Sequence, residues 1–206
     1  MTATFTQVPP DSTGDKLAMR SYTRGADLLH SQGVYFDGLP TYGVLNDASA
    51  VSTNKYHLYL RNDTGSAQTV YLLGLYVINL SVAAVTGVAL RFDLRRVTGT
   101  PTQTALTPFA FNSADPALAG VTAGHTVTAG LADAQIVRPF VLSSDEHTAA
   151  ATNIQQLVDQ TNYLALPHPS SRPYALRPGE AVAIKQPTTG TVGSFAFLLH
   201  FAVEPD

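Results

Sequence analysis

The residues in this chain that could carry chemistry form small, scattered sets. Six histidines stand at positions 30, 57, 125, 147, 168 and 200. None of them falls in the His-x-His or His-Glu-x-x-His spacing that aims two imidazoles at one metal ion. Asp145-Glu146-His147 is the densest titratable cluster. Acid/base pairs normally come from separate elements, so adjacent carboxylates in a Ser-rich stretch read as a solvated loop. There is no Gly-x-Ser-x-Gly elbow, and Thr191-Val-Gly-Ser194 reads as a turn into the last strand. No glycine-rich loop leads into Lys-Ser/Thr, the pattern that cradles phosphates. With zero Cys, disulfides, thiolate metal sites and thiol catalysis are excluded together. The expectation is a non-enzymatic protein with no catalytic residue, no cofactor and no metal.

One constellation favours binding. His57, Tyr59 and Arg61 share a side of a strand read over 55–62, and Tyr71 lies on the next strand. Together they could make a platform for a sugar ring. The plainer reading is that Tyr fits a pleated, half-buried surface, and that His57 and His200 are polar positions opposite apolar faces.

The elements that must position these residues are strands. In Ser194–Val203 the residues Phe195, Phe197, Leu199, Phe201 and Val203 fall on one side, and Ala196, Leu198, His200 and Ala202 on the other. That period of two predicts a strand with one heavily buried face, so the C-terminus lies inside a sheet. Leu176-Arg-Pro-Gly-Glu180 turns the chain into Ala181–Gln186. Over 87–97, Val88, Leu90, Phe92 and Leu94 face in, while Arg91, Asp93 and Arg95 face out with alternating sign. Val70–Leu80 is apolar at both parities, which predicts a strand covered on both faces. Its uncharged continuation to Leu90 is long enough to cross a membrane, but Asn79, Ser81, Thr86 and the β-branched content favour two strands joined near 81–87.

Thr98–Gly124 reads as a long connection holding little more than 106–111. Further strands are expected at 125–129 and 135–142, with Pro139 pushing the latter to an edge or a bulge. The single helix candidate is 149–161, where Thr152 and Gln155 could form a capping box. Residues 1–45, rich in Pro, Gly, Asp, Ser and Thr, read as an extended N-terminal arm with one or two short strands, not a separate domain. Residues 46–206 read as the globular part. The fold expected is all-β: an antiparallel β-sandwich, jelly-roll-like, with at most one short helix.

Composition limits the partners. Charged residues are 13% of the chain, about half the usual share. Its polar surface is therefore built from uncharged groups that are easily desolvated against other subunits. A net charge of −3 speaks against nucleic acid, and no cleavable signal is visible at the N-terminus.

Several segments, in order, resemble structural proteins of tailed-bacteriophage virions. Pro10-Asp-Ser-Thr-Gly-Asp-Lys-Leu17 and Leu29-His-Ser-Gln-Gly-Val34 are similar to their N-terminal stretch. Tyr56-His-Leu-Tyr-Leu-Arg-Asn-Asp-Thr-Gly65 resembles a strand ending in an Asn-x-x-Gly turn. Arg96–Pro108 with Asn112–Pro116 resembles the loop that their central strand opens into, and Leu176–Glu180 the turn before the penultimate strand. The resemblance implies a β-sandwich virion protein, assembled in the host cytoplasm, with no catalytic residues to carry over. The first expectation is a capsid decoration (cement) protein, trimeric, bound to copies of itself and to the major capsid protein, with no nucleic-acid or membrane partner. Its arm contacts would be Leu17, Met19, Tyr22, Leu28, Leu29, Val34, Tyr35 and Phe36. The alternative is a tail, baseplate or fibre-tip protein that binds a host-receptor carbohydrate.

Overall fold

The computed structural model describes residues 4–7, 16–24, 27–32, 39–80, 88–144, 162–164 and 173–205. The chain divides into two units, Met1–Leu39 and Pro40–Asp206. The first is a three-stranded antiparallel sheet of β1 (Thr4–Gln7), β2 (Lys16–Arg24) and β3 (Asp27–Gln32), ordered β1-β2-β3. Three paired strands thus stand where composition suggested an extended arm with one or two short strands. The break falls at 39/40, earlier than the 45/46 boundary read from composition. The segment after Pro40 is a strand: β4 (Thr41–Ala50) carries Tyr42 and Val44 into the core of the second unit.

That second unit is a sandwich of two antiparallel sheets. It continues with β5 (Tyr56–Asn62), β6 (Gln68–Asn79), β7 (Ala89–Thr98), β8 (Thr102–Leu106), β9 (Phe109–Ala110), β10 (Val121–Ala129), β11 (Ala132–Ser143), β12 (Tyr174–Leu176), β13 (Ala181–Lys185) and β14 (Ser194–Pro205). One sheet has the order β12-β6-β14-β4-β9, the other β11-β7-β13-β5-β10-β8. Without β8, β9 and β10 the orders become β12-β6-β14-β4 and β11-β7-β13-β5. That interleaving is two nested Greek keys, the jelly roll. The period-two pattern of β14 has its cause here, since β14 sits between β6 and β4 and buries Phe195, Phe197, Leu199 and Phe201 completely or nearly so. Those rings meet Leu58, Leu90, Phe92, Leu94 and Ile184 of the other sheet in one continuous core.

The three remaining strands form an insertion between β7 and β11, where sequence reading expected mostly loop. It adds β10 and β8 beside β5 and the short β9 beside β4. The chain must then cross the outside of the six-stranded sheet to reach β11 at its far edge. The outgoing turn at Gly99 and the returning turn at Gly130 pass against each other there. Both have positive φ (102° and 85°), and a Cβ on either would run into the other strand's carbonyl oxygen. Only glycine fits such a crossing. Beneath it, Val127 and Leu131 cover Tyr59, Val97, Ala181 and Ala183 as a second, smaller core.

Two expectations need correction. Strand β6 is covered on its inner face only: Val70, Leu72, Leu75 and Val77 are buried, but Ile78 on the other side is half exposed. Val88 is likewise exposed, whereas Leu90, Phe92 and Leu94 are buried as expected. Strand β11 lies at the sheet edge with two register shifts around 133–138, the place that Pro139 predicted. The helix candidate at 149–161 lies outside the described residues. No helix among the described residues is long and apolar enough to cross a membrane.

Candidate functional site

The outer face of the five-stranded sheet is built around two glycines. Gly43 on β4 and Gly74 on β6 flank His200 of β14 in register. A Cβ at Gly43 would meet the Phe109 ring at 2.7 Å and the Phe111 ring at 3.0 Å, and one at Gly74 would meet the Tyr76 ring at 2.7 Å. The missing side chains let three aromatic rings lie flat on the backbone. Phe111 packs edge-on against the His200 imidazole at 4.5 Å and against Phe109 at 5.4 Å. Burial holds the His200 imidazole below its ordinary pKa, and its Nε2 has no hydrogen-bond partner. Leu45 (40% exposed), Ile78 (50%), Phe109 (42%) and Phe111 (50%) stand open to solvent on this face. Exposed apolar side chains grouped on one sheet face are a common feature of interaction surfaces.

The outer face of the six-stranded sheet is charged and covered. Asp133, on the far side of the crossing, accepts hydrogen bonds from Tyr56 Oη (2.6 Å) and Lys185 Nζ (2.6 Å) and pairs with Arg95. Partial burial works against its charge, but the bonds from Lys185 and Tyr56 and the charges of Lys185 and Arg95 outweigh this. They hold the carboxyl below the ordinary aspartate value. Burial first, then donation to Asp133, pushes the Tyr56 hydroxyl well above its ordinary value. Beside this hub, the buried Asp93 takes Arg91 Nε at 2.8 Å, with Arg95 Nε at 3.6 Å. These groups bond to one another, so the cluster fastens the crossing and presents no free reactive group.

The four residues read as a glycan platform are not brought together. The register of β5 against β13 shifts between Ile184↔Leu58 and Lys185↔Tyr56. His57 is therefore the extra residue of a bulge and turns into the core, opposite to the side expected from strict alternation. Tyr59 is fully buried beneath the crossing, where burial raises its pKa against the pull of the Arg61 charge. Arg61 donates to Thr64 and Thr100 on the outer face. Tyr71 belongs to the other sheet and donates to Glu204 at 2.6 Å.

Of the expected arm contacts, Leu17, Met19 and Tyr22 lie in β2 and Leu28 and Leu29 in β3. Val34, Tyr35 and Phe36, like Asp145-Glu146-His147 and His168, fall outside the described residues. His125 is half-buried and shares a hydrogen bond with Thr126. No group of three or more potential metal ligands occurs among the described residues.

Sequence reading missed the flat aromatic face. The signal lay in the outward parity of β14 and β6 (Leu198 and His200; Tyr76 and Ile78) and in the Phe109-Ala-Phe111 alternation within the insertion. No protein-family model, curated protein or solved structure matches this chain.

Proposed function

We propose that the protein is a non-enzymatic structural subunit of a tailed-phage particle: a capsid decoration (cement) protein, trimeric, that stabilises the shell by subunit–subunit contacts. The observation that supports this most is the set of exposed aromatic and aliphatic side chains on the outer face of the five-stranded sheet: Leu45, Ile78, Phe109 and Phe111. The exposed apolar side chains carry no charge themselves, so burying them costs little desolvation, while Asp47, exposed two residues beyond Leu45, and Glu204, which accepts from Tyr71, are the carboxylates near them. The gain is about 25 cal/mol per Å² of apolar surface removed from solvent. The segment resemblances to virion proteins supply the particle. The low charge of the whole chain suits a surface that ends up against neighbours.

Electron microscopy of the source particle, with antibody or tag labelling of this chain, tests the proposal. Label at regular positions over the capsid supports it. Label confined to the tail tip, or absent from particles, discards the decoration role.

A further inference from the structure

One end of the sandwich is held shut by a buried polar cluster around His57. The bulge places this imidazole between the Phe92 ring (5.3 Å) and the Phe197 ring (5.0 Å), one from each sheet, with no solvent exposure. Its Nδ1 lies 2.8 Å from Ser49 Oγ on β4, and its Nε2 lies 3.3 Å from Gln186 Oε1 just after β13. Gln186 Nε2 donates to the carbonyls of Thr188 (3.1 Å) and Gly190 (2.9 Å), and its Oε1 accepts from the Ser52 amide (3.0 Å). Those three bonds fix the amide, so its oxygen faces the ring. His57 Nε2 must then carry the proton, and Nδ1 must accept from the Ser49 hydroxyl. The neutral ring is satisfied at both nitrogens.

A second proton has no such place. It would arrive at Nδ1 facing Ser49 Oγ, whose own hydrogen would have to turn away. The groups packed around the ring offer no compensating charge. From β4 come Asn46, which donates to the His57 carbonyl, and Ser49. From β7 comes Phe92, whose neighbours Arg91, Asp93 and Arg95 pair on the opposite face. From β13, Lys185 reaches Asp133 on that same opposite face. From β14 comes Phe197. From the turn at 51–55 comes Lys55, whose ammonium rests on the Ala50 carbonyl and repels an imidazolium. The same cluster ties two loops together: Val51 N donates to Gly193 O (3.0 Å), and Gln186 N to Lys55 O (2.9 Å).

We propose that this cluster is an acid-sensitive staple: protonation of His57 releases the end of the sandwich formed by residues 46–55 and 186–193 while the rest of the jelly roll stays folded. Burial above all, then the Lys55 charge, against a smaller opposing pull from Gln186, lowers the His57 pKa from 6.5 to about 3. Because the folded pKa lies below the unfolded one, the stabilisation is complete above about pH 6.5 and drains away as pH falls toward 3.

Hydrogen exchange followed by mass spectrometry at about pH 7 and about pH 4, corrected for intrinsic rates, tests this. Exchange in 46–55 and 186–193 should rise at least about tenfold more than in β6 and β7. His57→Gln, which keeps a neutral donor and acceptor, should remove that difference. If the variant does not fold, the wild-type ring nitrogens report directly by NMR: a neutral Nε2–H imidazole at about pH 5 is expected. Uniform exchange in the two regions overturns the staple. So does an undiminished acid response in His57→Gln, or an imidazolium at about pH 5 with protection intact.

Discussion

The two outer faces of the sandwich solve the same problem in opposite ways. On the six-stranded sheet, the strip of Tyr59, Val97, Ala181 and Ala183 is roofed by the chain's own crossing and rimmed with paired charges at Asp93, Asp133, Arg91, Arg95 and Lys185. On the five-stranded sheet, Phe109, Phe111 and Tyr76 lie flat over glycines, with Leu45 and Ile78 open beside them and no roof among the described residues. The same insertion between β7 and β11 builds both: its crossing covers one face, and its β9 segment adds two phenylalanines to the other. A covered apolar strip with charges at its rim belongs to a finished surface. A bare apolar one is the surface that the proposed subunit role would use.

Substitutions can break or sharpen that contrast. The largest effect belongs to the shared interior, where Phe92 touches His57, Phe140, Phe195 and Phe197. Phe92→Ala should cost about 3–5 kcal/mol in denaturant unfolding, whatever happens on either outer face. Gly130→Val comes next. The positive φ and the closeness of the Thr100 carbonyl should cost about 2 kcal/mol or more, and fluorescence should report Tyr59 becoming wetter as the roof lifts.

Asp133→Ala should cost about 1 kcal/mol, since the pairs are partly solvated, and should lose its effect in high salt. Its carboxyl is held below the ordinary value, so its contribution is present above about pH 4 and fades below that. Thermal melts across that range should therefore converge for wild type and variant at low pH. The smallest stability effect is expected on the bare face: Ile78→Lys with Phe111→Lys should change unfolding free energy by no more than about 0.5 kcal/mol.

Sequence reading reached the jelly roll because six of its eight strands, β5, β6, β7, β11, β13 and β14, announce themselves locally, whereas β4 and the three-residue β12 were not read as strands. Alternation in β14 and β7, the Gly179 turn and the Gly65 turn each need only neighbouring residues to be recognised. What it missed depended on distant pairing. The His57 bulge exists only in the register of β5 against β13, and one extra residue reverses the side on which a ring points. Tyr59 looked solvent-facing because the crossing that buries it is contributed by residues about seventy positions later in the chain. The aromatic face needed Gly43 and Phe109 to be neighbours, a contact made by the two-residue strand β9 that propensity alone does not reveal.

The most direct measurement is sedimentation velocity of the wild type beside the Ile78→Lys/Phe111→Lys variant, over a concentration series, with melting curves recorded on the same samples. The account predicts a trimer for the wild type and a 21.8 kDa monomer for the variant, with nearly superimposable melts. Equal masses for the two proteins would contradict it.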